Sequence, residues 1–297
     1  MVGSALGDAI GELAFRYRTK ENIHLQLERL TEFRYTDDTA MSVGLAESIL
    51  KMGGLDQQDL GDIFRENFLK EPWRGYASGP PAIFTMVEQF GVTYSEAAKS
   101  LFRGEGSLGN GAAMRIAPVG LLFHHSPDLY EKASISAAVT HAHPVGMDGA
   151  AVQAKAIALA VNLDPQGPFS GEEFINTLIS FARTTQIRDK LSLIKTLIAG
   201  NSSPSPAAEQ LGQTVAVHES MPFALYSFLS HPRSFADCLF CAILHGGDRD
   251  TLGAMACAIS GAYLGIESIP QAWIKKLENR SYIEGLASRL SELEPVL

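Results

Sequence analysis

The chain contains two short acidic clusters whose residue types suit a site for hard divalent cations. One is Thr36–Thr39 (TDDT), near the start, and the other is Gly246–Thr251 (GGDRDT), near the end. Each offers two carboxylates and at least one hydroxyl, and oxygen atoms are the ligands that such cations prefer. The four carboxylates together would balance the charge of two Mg²⁺ ions. A pair of metal ions about 3.5–4 Å apart is one device for activating water at a scissile bond.

Both clusters also have a structural interpretation, because carboxylates cap helices. Asp37 and Asp38 stand where a helix is predicted to begin, and the N-terminus of a helix attracts negative charge. Neighbouring residues of a helix project about 100° apart, so these two acids suit two ions better than one. Asp248 and Asp250 are two residues apart, and in an extended segment that spacing places both side chains on the same side. The residues alone leave both interpretations open.

Two glycine-rich segments lie between the acidic clusters. Gly104–Gly111 (GEGSLGNG) precedes the run AAMR, which predicts a helix. Glycines before a helix expose backbone amides to an anion such as a phosphate, although glycine-rich turns are also common without a ligand. Gly75–Gly79 (GYASG) is a similar loop, in which Tyr76 is available to stack on a base or a ribose. His141 and His143 fit a helical metal site poorly, so we predict a ligand-contacting or helix-capping role for them.

Composition and charge exclude several classes of protein. Hydrophobic residues make up 46% of the 297 residues, and 24 Lys and Arg against 33 Asp and Glu give a net charge of −9. We find no basic stripe of the kind that binds duplex nucleic acid. We also expect no signal peptide and no membrane-spanning segment, because no apolar run has the required length and flanks. The three cysteines, Cys238, Cys241 and Cys257, form no disulfide framework and are predicted to be packing residues, which indicates a reducing compartment and a cytoplasmic protein.

Helical periodicity dominates the segments that must position these residues. Strand-like alternation is almost absent, so we predict an all-α fold: a compact, single-domain orthogonal bundle of roughly a dozen helices over residues 1–297. If the two acidic clusters form one site, the ends of the chain must meet, which favours a single domain. One helix is predicted to open just after Asp38, and the others cover 60–69, 80–90, 95–102, 128–140, 149–161, 172–182, 187–199, 206–218, 222–229, 235–244, 252–266 and 272–293.

Five segments resemble the ADP-ribosyl-acceptor hydrolase family and occur in that family's order. They are LGDAIG at 6–11, YTDDT at 35–39, GNGAAMR at 109–115, THAH at 140–143 and GGDRDT at 246–251. The family includes the dinitrogenase-reductase-activating glycohydrolase and the serine-ADP-ribose and poly(ADP-ribose) hydrolases. The matches run from about Gly3 to Pro270, nearly the whole chain. The resemblance implies a compact all-α fold with a binuclear metal centre holding two Mg²⁺, or Mn²⁺, ions.

The resemblance also implies roles for particular residues. The implied metal ligands are Thr36, Asp37, Asp38, Asp248, Asp250 and Thr251. The residues that would surround ADP-ribose, with its diphosphate over the glycine-rich amides, are Gly75, Tyr76, Gly79, Gly106, Ser107, Leu108, Gly109, Asn110 and His141. The implied reaction is hydrolysis of the glycosidic bond between ADP-ribose and an acceptor, through an oxocarbenium-like state.

One position departs from the family's pattern. Members that cleave serine-linked ADP-ribose have a glutamate four residues past the last glycine of the first segment, and this position is Phe15 here. Glu12, directly after Gly11, is the only nearby glutamate. The candidate catalytic residues are therefore Glu12, acting from a rearranged loop, and Asp38 or Asp250 in the metal site. Weak or absent activity is the remaining alternative.

We therefore expect a Mg²⁺-dependent hydrolase that removes ADP-ribose from a protein side chain or a small conjugate, nearer to the serine- or O-linked branch. An arginine-specific N-glycosidase and a catalytically weak ADP-ribose-binding relative are the alternatives. A metal enzyme unrelated to nucleotides would leave the two glycine-rich loops unexplained. The expected partner is the ADP-ribosylated substrate, and the expected oligomeric state is a monomer.

Overall fold

The computed structural model describes residues 1–293, which contain α-helices, one 3₁₀ turn at Ile266–Ser268 and no sheet. The all-α prediction is confirmed, with more helices than expected because several are very short. In chain order the helices are α1 (Val2–Arg16), α2 (Lys20–Arg29), α3 (Asp37–Met52), α4 (Gln57–Lys70), α5 (Gly79–Phe90), α6 (Tyr94–Gly104), α7 (Gly111–Met114), α8 (Ala117–Leu122), α9 (Leu129–Ala138), α10 (Pro144–Val161), α11 (Gly171–Phe181), α12 (Thr185–Ala199), α13 (Pro204–Leu211), α14 (Val217–Ser230), α15 (Phe235–His245), α16 (Arg249–Leu264), α17 (Gln271–Ile274) and α18 (Arg280–Glu292).

The helix boundaries differ from the predicted ones in the C-terminal third. The helices predicted at 206–218 and 222–229 divide instead after Leu211, and α14 continues through Pro222. A proline inside a helix removes one backbone hydrogen bond, and here the burial of neighbours such as Phe223 offsets that loss. The single helix predicted at 272–293 is two helices, because Asn279 adopts a left-handed φ of 51° just before α18. The predicted span of 1–297 includes residues 294–297, which lie outside the described residues.

Helix α1, which the periodicity did not predict, packs backbone to backbone against α16. Gly3, Gly7 and Gly11 recur every four residues and therefore lie on one face of α1. A Cβ atom at Gly7 would lie 2.1 Å from the carbonyl oxygen of Gly253, and one at Gly11 would lie 2.5 Å from that of Arg249. Only glycine permits so close an approach. The contact brings the first helix of the chain against the start of α16, so the two ends of the chain meet.

The core lies around α10, α14 and α16, which are buried on most of their faces. Cys238, Cys241 and Cys257 are buried free thiols within it, and burial raises the pKa of Cys241 to about 11. These thiols therefore stay protonated at neutral pH and serve as packing groups. No helix of the described residues combines the length and the apolar character needed to cross a membrane.

Candidate metal centre and adjoining loops

Three carboxylates from three different helices converge at the place where the ends of the chain meet. Asp8 of α1, Asp38 of α3 and Asp250 of α16 each place one oxygen within 4.8 Å of the others, and these three residues form what we call the acid cluster. Asp8 and Asp38 are buried, and Asp250 is partly buried. Buried carboxylates repel one another unless a cation or protons compensate their charge. The structure thus brings the two acidic clusters into one site and adds a carboxylate from a third segment.

Burial raises the pKa of four carboxyl groups in this site, and repulsion by neighbouring carboxylates adds to the effect for Asp37, Asp38 and Asp250. Desolvation is the larger cause for each of them. It acts with the charge of Asp248 to raise the pKa of Asp250 to about 8, and with the charge of Asp8 to raise that of Asp37 to about 7. The pKa of Asp8 rises to about 6, and that of Asp38 rises well above its ordinary value. A divalent cation would compete with these protons, because it supplies the compensating charge more effectively.

Asp8 belongs to α1, and its side chain lies at the N-terminus of α3. It is the site residue that the sequence analysis did not predict. Its carboxylate accepts hydrogen bonds from the backbone N–H groups of Thr36 and Thr39, both at 3.0 Å, and from their hydroxyls at 2.8 and 2.6 Å. Asp8 therefore caps α3, which is the role that the capping interpretation assigns to Asp37 and Asp38. The available signal was a lone acid in the largely apolar run LGDAIG at 6–11, where a carboxylate needs compensating partners once it is buried.

Asp38 has the geometry of a ligand with one free oxygen. Its Oδ2 accepts from the hydroxyls of Thr36 and Thr251, each at 3.3 Å, so hydroxyls from both acidic clusters meet on it. Its Oδ1 is buried and has no hydrogen-bond partner. Leaving a buried charged acceptor unpaired costs about 1–3 kcal/mol or more. The all-oxygen donor set and this unpaired atom fit a hard divalent cation.

Asp37 and Asp248 lie outside the tight group of three and touch the two glycine-rich loops. Asp37 donates its backbone N–H to the carbonyl of Arg74 at 2.9 Å, and a Cβ atom on Gly75 would lie 3.6 Å from its Oδ1. Asp248 accepts a hydrogen bond from Nδ2 of Asn110 at 2.6 Å. Each loop is therefore tied to one carboxylate at the edge of the acid cluster.

Arg74 fixes the first loop through a network that the motifs did not reveal. Its buried guanidinium forms a bidentate pair with Glu278 at 2.7 and 2.9 Å and donates to the carbonyl of Tyr35 at 2.9 Å. It also pairs with Glu71 and lies over the ring of Tyr35. Glu278 comes from the segment between α17 and α18, far along the chain. This network holds Tyr35, two residues before Asp37, beside the Gly75–Gly79 loop.

In the first loop, the predicted contact residues lie in different environments. Tyr76 is half-buried and packs edge-on against Phe68, with ring centroids 5.2 Å apart. Gly75 adopts a φ of +97°, in the region that favours glycine, and Gly79 begins α5. Gly75 adjoins the acid cluster through Asp37, whereas a Cβ atom at Gly79 would lie 3.8 Å from the side chain of Leu101 in α6.

The second loop, Ser107–Gly111, is hydrogen-bonded to the backbone at the start of α14 and packs against His141. Leu108 accepts from the N–H of Val217 at 3.0 Å, and Asn110 donates its N–H to Val215 at 2.9 Å. The Ser107 hydroxyl accepts from the N–H of Gly109 at 3.1 Å. A Cβ atom at Gly111 would lie 2.8 Å from the His141 ring, so the turn requires glycine there.

The glycine just before this loop and the two histidines below it have defined structural roles. A Cβ atom at Gly106 would lie 2.7 Å from the backbone nitrogen of His143. His143 caps α10 by accepting from the N–H of Val145 at 3.1 Å, in agreement with the predicted capping role. His141 is buried, and its Nδ1 lies 2.7 Å from the hydroxyl of Thr140. Burial and the nearby Arg115 lower the pKa of His141 to about 3, so its imidazole is neutral at neutral pH.

Glu12 lies one helical turn after Asp8, on the same side of α1. The rearranged loop expected for this region is absent, because α1 continues through Glu12 and Phe15 to Arg16. The Glu12 carboxyl is close enough for its charge to raise the pKa of Asp250, and partial burial raises the pKa of Glu12 itself. Phe15 is 42% exposed. Glu12 is exposed to solvent, whereas Asp37, Asp248 and Asp250 are partly buried.

Comparisons with known proteins agree with this arrangement. A family model described as ADP-ribosylglycohydrolase matches residues 1–296. The human protein "ADP-ribosylhydrolase ARH3" is 31% identical, and the alignment covers 98% of this chain and 91% of that protein. An uncharacterized protein of Archaeoglobus fulgidus is 32% identical over 99% of this chain and 95% of its own. A solved structure titled "ADP-ribosylglycohydrolase-related protein complex" has the same fold, with a TM-score of 0.73, 22% identity, and coverage of 98% of this chain and 95% of its own.

Proposed function

Because the chain belongs to the ADP-ribosylglycohydrolase family, whose members hydrolyse glycosidic bonds, we propose that it is a Mg²⁺-dependent hydrolase that releases ADP-ribose from a modified acceptor. The observation that carries the proposal is the convergence of Asp8, Asp38 and Asp250 beside two glycine-rich loops. A metal enzyme unrelated to nucleotides has no need of those loops. The proposed substrate is an ADP-ribosylated protein or a small ADP-ribose conjugate.

We propose that the acid cluster holds two Mg²⁺ ions, with Mn²⁺ as a possible substitute. The proposed ligands are Thr36, Asp37, Asp38, Asp248, Asp250 and Thr251. Asp8 already accepts four hydrogen bonds, so we assign it to orienting Thr36 and Thr39 and to adding negative charge. When bound, such ions supply Lewis acidity and lower the pKa of coordinated water.

The two loops are proposed to hold ADP-ribose. The backbone amides of Ser107–Gly111 suit the diphosphate, because N–H groups compensate its negative charge. His141, being neutral, would contribute a hydrogen bond rather than a positive charge. Gly75–Gly79, with the half-buried Tyr76, would contact the ribose beside Asp37, and Gly106 and Leu108 would complete the second loop.

Glu12 is the proposed general base. A carboxylate that is open to solvent, with a pKa raised above its ordinary value, is suited to accept a proton from an attacking water near neutral pH. Asp38 and Asp250 are proposed to act through the metal site. Phe15, at the position where the serine-specific members have glutamate, favours a second candidate: a relative that binds ADP-ribose but hydrolyses it weakly.

The test is release of ADP-ribose from serine-linked and arginine-linked peptides, each with Mg²⁺ and with EDTA. We expect Mg²⁺-dependent release from the serine-linked peptide, in keeping with the O-linked branch that the two loops resemble. Release from the arginine-linked peptide alone would instead assign an N-glycosidase. ADP-ribose binding without release from either peptide would support the weakly catalytic relative, and neither binding nor release would refute the proposal.

We also propose that the chain acts as a single domain and as a monomer. The contact between α1 and α16 joins the two ends of the chain, and both ends contribute to one site. Light scattering coupled to size exclusion should therefore give a mass near 32.0 kDa. A mass of twice that value would contradict the monomer.

A further inference from the structure

Arg115, directly after α7, is a buried cation that the reaction outlined above does not use. Its side chain is 0% exposed. The guanidinium donates to the carbonyl of Gly111 at 2.9 Å and to that of Ser136 at 3.2 Å, and it lies 4.8 Å from the centroid of the Phe64 ring. Its Nε has no partner. Among residues 1–293, no carboxylate lies within ion-pairing distance of it.

A buried guanidinium without a carboxylate partner is costly, because burial removes its hydration. Burial lowers the pKa of Arg115 to about 9, and the charge of Asp37 opposes this effect, so the side chain remains charged at neutral pH. Two carbonyl contacts compensate only part of the lost hydration. Such a charge is retained more readily where a second negative group is present in the working state of the protein.

The position of the charge indicates what that negative group is. Arg115 holds the carbonyl of Gly111, the last residue of the Ser107–Gly111 loop, and its charge acts on His141, on which the loop rests. It therefore lies behind the loop proposed to hold the diphosphate. In a poorly hydrated interior, a unit charge acts over several ångströms with little screening.

We propose that Arg115 is a positioning residue for the diphosphate of the substrate. It fixes the Gly111 end of the loop through the carbonyl of that residue, and its buried charge adds to the attraction of the loop for the diphosphate. The inference deepens the proposed function and depends on it. The guanidinium of Arg115 hydrogen-bonds to backbone carbonyls. Arg115 therefore acts on the substrate through the position of the loop and through its electric field, without touching the substrate.

The test measures the affinities of purified protein for ADP-ribose and, separately, for Mg²⁺ by calorimetry, for the unaltered chain and two variants. Arg115→Gln removes the charge and keeps an amide donor for Gly111. We expect it to weaken ADP-ribose binding about tenfold or more. Mg²⁺ binding should be equal or tighter, because a positive charge near Asp37 is gone. Arg115→Lys keeps the charge and should bind ADP-ribose within a few-fold of the unaltered chain.

The outcomes separate this inference from the proposed function. If the unaltered chain binds no ADP-ribose, the proposed function fails and the inference fails with it. If it binds but Arg115→Gln binds equally well, or if Mg²⁺ and ADP-ribose affinities fall in parallel, the inference alone is overturned. Should Arg115→Gln not fold, Arg115→Lys decides: tenfold weaker binding by a folded lysine variant refutes the role of the charge, and near-normal binding supports it.

Discussion

Replacing Asp250 by asparagine should stabilise the metal-free protein at alkaline pH while weakening its response to Mg²⁺. Asp250 has a folded-state pKa of about 8, raised by desolvation and by Asp248, against an ordinary value of 3.8. A carboxyl whose folded pKa is raised binds its proton more tightly in the folded state than in the unfolded one. Its contribution to stability is therefore fully present below about pH 4 and is lost as the pH rises to about 8.

The magnitude follows from the shift. Each pKa unit corresponds to about 1.4 kcal/mol, so ionising Asp250 in the folded protein costs on the order of 5 kcal/mol in the free energy of unfolding at pH 8. Asparagine has nearly the same shape as a protonated aspartic acid. In EDTA, Asp250→Asn should match the unaltered chain at pH 5 and be more stable at pH 8. With Mg²⁺ present the order should reverse at pH 8, because a ligand is missing.

The assay is urea denaturation at pH 5 and pH 8, in EDTA and in Mg²⁺. Asp148→Asn is the matched control: Asp148 is fully buried where Asp250 is partly buried, and its carboxylate accepts hydrogen bonds from Tyr130, Arg183 and Thr184, away from the acid cluster. This control should lose stability with or without Mg²⁺. If Asp250→Asn is less stable than the unaltered chain at pH 8 in EDTA, the carboxylate repulsion inferred for the cluster is wrong.

Three further predictions concern the proposed general base Glu12, the contact between α1 and α16, and the pair that Arg74 forms with Glu278 beside the first loop. Glu12→Gln should lower kcat at least a hundredfold, in keeping with loss of a general base, and change Mg²⁺ affinity far less, because Glu12 acts on Asp250 only through its charge; an unaltered rate would transfer the role to a carboxylate of the metal site. Gly11→Ala should destabilise the fold by about 1–3 kcal/mol through overpacking. Gly285→Ala, in α18 with nothing near its added Cβ, should gain up to about 1 kcal/mol; equal thermal shifts for the two would contradict the packing explanation. Glu278→Gln should cost about 1–3 kcal/mol, because Arg74 loses one carboxylate partner and keeps Glu71, and it should weaken Mg²⁺ binding, whereas full Mg²⁺ affinity would exclude a role in placing Asp37.

Much of the fold class and part of the site could be predicted from local patterns. Apolar spacing within ten to fifteen residues predicts a helix wherever the helix is amphipathic, as in 60–69 or 187–199. It fails for α1, whose glycines have low helix propensity and whose face is chosen by contact with α16 rather than by its own polarity. It also misplaces the breaks around Leu211 and Asn279, where tertiary burial and a left-handed residue decide the boundary.

By itself, the sequence determined the helical class, the oxygen-rich chemistry of Asp37, Asp38, Asp248 and Asp250, and the family resemblance, because residue types and short spacings are local properties. Only the tertiary structure decided that Asp8 caps α3 inside the site and that Glu278 pairs with Arg74 beside the first loop. The same holds for the charge of Arg115, which lies beneath the second loop. These relations join residues that are far apart in the chain, and they depend on which helices approach closely. That approach is decided by non-local packing, such as the glycine contact of α1 with α16, which no local pattern records.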